Sequence, residues 1–62
     1  MTKVEIEILA ALRPGGMLTL ETMTKTIGRP KWVVRRAAKS LRRQALASEN
    51  RAGQWEISGG RA

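Results

Sequence analysis

The sequence predicts a mainly α-helical domain closed by a small β-hairpin: three short helices, an optional short strand between the first two, and two terminal strands. Two observations carry this reading. Apolar residues recur at helical spacing in three stretches separated by Pro/Gly-rich punctuation, and one late stretch, Gln54-Trp55-Glu56-Ile57-Ser58, alternates with period two. The 62 residues allow one domain, read as residues 1–58 with 59–62 as a frayed tail. A domain of ~60 residues buries only about 60% of the surface its unfolded chain exposes, so every core position counts.

The first helix is predicted at about Lys3 to Leu12. Thr2 followed by Glu5 is a capping box, and Val4, Ile8, Leu9, Ala11 and Leu12 form its apolar face. Pro14-Gly15-Gly16 stops it. After the apolar pair Met17-Leu18, Thr19 can cap a second helix in which Leu20, Met23 and Ile27 share one side, ending at Gly28. Met17 and Met23 are expected to fill gaps in the core. Pro30 suits the first position of a third helix, running to about residue 46, because its fixed φ fits there and its missing N–H is not needed.

The third helix separates its residues sharply by chemistry. At ~100° per residue, with Pro30 at zero, Ala37, Leu41, Val34, Ala45 and Ala38 occupy an arc from ~340° to ~80°. Lys31, Arg42, Arg35, Lys39, Arg43 and Arg36 occupy the opposing arc from ~100° to ~240°, with Trp32 among them. Basic helix faces are often only solvated, and are commonly balanced by acids one turn away. Here eight basic residues and no acidic one lie between Glu21 and Glu49. Trp32 opposes the apolar arc and is expected at the surface, to stack on a sugar or base, cover Arg stems or meet a partner. Trp55 is expected in the core, where it alternates with polar neighbours around the Asn50-Arg51-Ala52-Gly53 turn.

Composition narrows the chemistry. Twelve Lys and Arg against five Glu give a net charge of +7, and Cys and His are both absent. Thiolate and imidazole metal sites and Cys or His catalysis are excluded, and Glu5 and Glu7 point apart on their helix. The chain therefore reads as a non-enzyme with no cofactor. Its longest apolar run, Ile8 to Leu12, is far short of the ~20 residues of a membrane span. No membrane role is expected, and the location read from the chain is cytoplasmic, nucleoid-associated when bound to DNA.

The order of elements resembles the compact winged helix-turn-helix DNA-binding domains of bacterial, archaeal and phage transcription regulators, such as those related to the MarR and ArsR families. The resemblance rests on Thr19-Leu20-Glu21-Thr22-Met23 with Ile27-Gly28, on Val34, Ala37-Ala38 and Leu41, and on Gln44, Leu46, Gly53, Trp55, Ile57 and Ser58. Two features depart from it. Ala45-Leu46 stands where such domains often have Gly-Leu, and no dimerisation helix follows the wing.

The resemblance implies double-stranded DNA as partner, the third helix in the major groove and residues 47–58 as the wing. Arg29, Lys31, Trp32, Arg35, Arg36, Lys39, Arg42, Arg43 and Arg51 are the expected contacts. Arg35 or Arg36 is assigned to bases, because an Arg fork bonds both acceptors of a guanine edge. Lys39, Arg42, Arg43 and Arg51 are assigned to phosphate, and the amides near Thr19 to one more. A homodimer on DNA, or a protein partner, would extend the short site of a single module. The alternative function is an interaction module for RNA or an acidic protein within a larger assembly.

Overall fold

The computed structural model describes residues 1–12 and 16–58. Its order is α1 (Lys3–Leu12), β1 (Leu18–Thr19), α2 (Leu20–Ile27), α3 (Lys31–Arg43), β2 (Ala47–Glu49) and β3 (Gln54–Ile57). Three helices and a small antiparallel sheet follow the predicted order, a shape compatible with a winged helix. The sheet differs from a simple hairpin. The optional strand forms, and the strand order is β1-β3-β2, with β3 in the centre.

α1 starts on the capping box. The Thr2 N–H donates to Glu5 Oε1 at 2.6 Å and the Glu5 N–H donates to Thr2 Oγ1 at 3.2 Å, satisfying two N–H groups that a bare helix end leaves orphaned. Predicted stop residues Pro14 and Gly15 and the tail at 59–62 lie outside the described residues. α2 begins at Thr19, whose Oγ1 accepts from the Thr22 N–H at 3.2 Å. It ends at Gly28, where φ is 78° and the N–H donates to Thr24 O at 2.9 Å. A side chain would be strained in that left-handed conformation.

Two expected boundaries of α3 need correction. Pro30 has φ −55° but ψ 144°, so it precedes the helix as its N-cap instead of being its first residue. The ring fixes φ alone, and ψ decides where the helix begins. The Pro30 carbonyl accepts from the Val33 and Val34 N–H groups.

The other end closes at Arg43, short of residue 46. Ala45 takes φ 62°, the Leu46 N–H donates to Leu41 O at 2.9 Å, and the Ala45 N–H donates to Arg42 O at 3.0 Å. These two bonds make a Schellman cap, a motif that normally puts glycine at the left-handed position.

The core consists of Ile8 and Leu12 from α1, Met23 from α2, Val34, Ala37, Ala38 and Leu41 from α3, and Ala47 and Trp55 from the sheet. Leu18 opposes Trp55 in the register and Ala47 opposes Ile57, so one sheet face supplies these apolar residues. Trp55 is 2% exposed. Met17, expected in the core, is 48% exposed and lies outside it. It precedes β1, where no helix periodicity turns it inward. The β2–β3 turn is tied by Asn50, whose Oδ1 accepts from the Ala52 and Gln54 N–H groups, both at 2.9 Å. Gly53, at φ 80°, completes the reversal.

Candidate nucleic-acid interface

α3 packs on α1 and α2 through its Val34, Ala37, Ala38 and Leu41 edge, which turns the opposing arc to solvent. Lys31, Trp32, Arg35, Arg36, Lys39, Arg42 and Arg43 are all exposed, and Trp32 is 63% exposed. Two of its cations stand in the last turn, where positive charge meets the negative end of the helix dipole. Lys39, Arg42 and Arg43 surround a shallow hollow of about 360 Å³ with no other residue in its lining. Lys39 stands one turn before both Arg42 and Arg43, and like charges at that spacing repel one another unless an anion sits between them. Arg51 is exposed in the β2–β3 turn.

Arg29 is placed differently from the rest. Its Nε donates to Glu7 Oε1 at 2.9 Å, tying the α2–α3 turn to α1. This hydrogen bond and the attraction of opposite charges lower the Glu7 pKa and raise that of Arg29. Among the described residues it is the one ion pair, so the six α3 cations and Arg51 lie outside any such pair. Of the amides proposed as an anion site at the start of α2, the Thr22 N–H is already used by Thr19.

By its sequence spacing Glu5 is a capping residue and no more. It is 4% exposed, and its carboxylate is held by the Thr2 N–H, by Gln44 Nε2 at 3.1 Å and by Ser40. The Ser40 hydrogen bond leads and Thr2 and Gln44 add to it; together they outweigh burial and hold the pKa at about 2, against 4.5 for a free Glu side chain. A signal for this existed. With Val4 at zero, Glu5 falls at ~100°, beside Leu12 at ~80°, on the inward arc of the helix. The network locks the start of α1 to the second half of α3 and so sets the angle at which the basic face is presented.

Beside this network the N-terminal parts of α1 and α3 enclose an open groove of about 370 Å³, walled chiefly by Val4, Trp32, Val33, Arg36 and Ala37. Among the described residues no group of three metal-ligating side chains occurs, and no helix is long and apolar enough to cross a membrane. Compared with known protein families, curated proteins and solved structures, the chain matches none.

Proposed function

We propose that the chain is a winged-helix, double-stranded DNA-binding protein acting in transcription regulation, with α3 in the major groove and the β2–β3 hairpin as wing. One observation carries the reading: six cations and a tryptophan stand exposed on a single 13-residue helix that has no acidic residue of its own. A major groove is wide enough for a helix, and phosphates supply the charge that such a face lacks.

Arg35 and Arg36, in the first half of α3, take base edges in this reading. The hollow of Lys39, Arg42 and Arg43 takes phosphate, with Arg51 adding a contact from the wing. Arg29, engaged by Glu7, contributes only once it is released.

If four to six cations neutralise phosphates, log K falls against log salt with a slope of about −4 to −5. A duplex titration at several salt concentrations measures this. Absence of binding, or a slope near zero, overturns the proposal. A single module buries only ~600–1,000 Å² on DNA, so a second copy on a paired half-site is the expected route to high affinity.

A further inference from the structure

The chain has two aromatic side chains, and they are placed in opposite ways. Trp55 is buried in the core, whereas Trp32, in the first turn of α3, is 63% exposed. At ~100° per residue, with Pro30 at zero, the buried residues Val34, Ala37, Ala38 and Leu41 centre near ~30°. Trp32 falls at ~200°, opposite that centre, so it stands furthest from the core. Val33 and Ala37, at ~300° and ~340°, carry the α1–α3 groove inward, and Trp32 is its outer rim. Arg35 at ~140° and Arg36 at ~240° flank the indole one turn on.

What the outermost side chain meets follows from the DNA-binding function, on which this inference rests. When a helix enters a major groove, the side opposite its own core goes deepest, where base edges form the floor. Bases in a duplex stay stacked, so an indole finds no ring face there to lie on. It finds polar donors and acceptors and one methyl group, the C5-methyl of thymine. The thymine edge sets the O4 acceptor beside that methyl, and the indole sets its one N–H donor beside an apolar ring. Guanine, adenine and cytosine edges present polar groups without a methyl. An indole pressed on them strips water from groups that it satisfies only in part.

We infer that Trp32 is a specificity-determining residue: it reads the C5-methyl of a thymine in the major groove, next to the base edges taken by Arg35 or Arg36. The two arginines supply the hydrogen bonds of recognition, and the indole adds an apolar contact that no cation of the face can make.

The test removes that methyl alone. A duplex enriched from a random pool by the full chain is resynthesised with deoxyuridine in place of each thymine in turn. One position is expected to lose about fourfold in affinity, the worth of one buried methyl group. Trp32→Ala, at an exposed position, is expected to keep the fold, to bind the parent duplex more weakly and to bind the thymine and deoxyuridine duplexes equally. Trp55 is then the one remaining indole, and its fluorescence reports that the core is intact. Trp32→Gln, a good helix former with no apolar ring, gives the same equality. Duplex binding with no deoxyuridine-sensitive thymine, or a difference that persists in both variants, overturns the role of Trp32 and leaves the DNA-binding function standing. Failure of the parent chain to bind any duplex overturns that function, and this inference with it.

Discussion

Ala45 occupies the left-handed position of the cap that ends α3, with φ 62°. Its Cβ crowds the following carbonyl, a strain of ~1–2 kcal/mol for an L-residue. Ala45→Gly removes that strain and keeps both cap hydrogen bonds, since these run through the backbone. The gain is offset by the greater freedom of glycine in the unfolded chain, ~0.4–1 kcal/mol. The difference centres near +0.8 kcal/mol, which for a domain of 60–100 residues raises Tm by about 3–6 °C. Thermal and urea unfolding followed by circular dichroism measure it, with the urea m-value unchanged. Ala45→Val serves as the opposing control, because a β-branched residue at positive φ lowers Tm. An Ala45→Gly protein with the same or a lower Tm refutes the assignment of strain to this position.

Three further outcomes are expected. Glu5→Gln removes a charged acceptor from a buried network and lowers stability by ~1.5–3 kcal/mol, read by urea unfolding. Because the folded pKa of Glu5, about 2, lies below its unfolded value of 4.5, its contribution is complete above pH ~5 and is lost as pH falls from there toward 2. Stability against pH measured for the parent and for Glu5→Gln separates this carboxylate from the others: only the parent shows that part of the acid loss. Arg42→Ala reduces the salt slope of duplex binding by ~0.9 and weakens all sequences alike, whereas Arg35→Ala flattens the preference among base sequences in a competition series and leaves the slope nearly unchanged. Glu7→Gln releases Arg29 and steepens the same slope by up to ~0.9; an unchanged slope removes Arg29 from the interface.

Much of the fold was legible because its signals are local. Thr2 with Glu5, Thr19 as a cap and Gly28 as a stop are each read within one helical turn, and the structure places α1 and α2 at those bounds. The end of α3 was not legible in the same way. The usual glycine signal is missing at Ala45, and the left-handed turn there is imposed by Leu46 reaching back to Leu41 and by β2 beginning at Ala47. Met17 misled because an apolar residue beside a strand carries no periodicity to show which way it faces. Within the candidate site, the exposed cations and Trp32 followed from the wheel alone, since a helix face is a local property. The Arg29–Glu7 pair and the Glu5–Gln44 bond join residues 22 and 39 positions apart, and no spacing rule reaches that far.

The central place of β3 in the sheet bears on how the chain folds. Trp55 belongs to the last strand in chain order, yet it packs in the core and lies between Leu18 of β1 and Glu49 of β2. Until residues 54–57 join them, the three helices have a hole where that ring belongs. They can collapse and exchange contacts, but a cooperative fold waits for residues 54–57. The basic surface of α3 is therefore held rigid only once the last strand is in place. Residues 1–53 alone, with eleven Lys and Arg against four Glu, carry the same net charge of +7 as the 62 residues but lack the strand that fixes their shape.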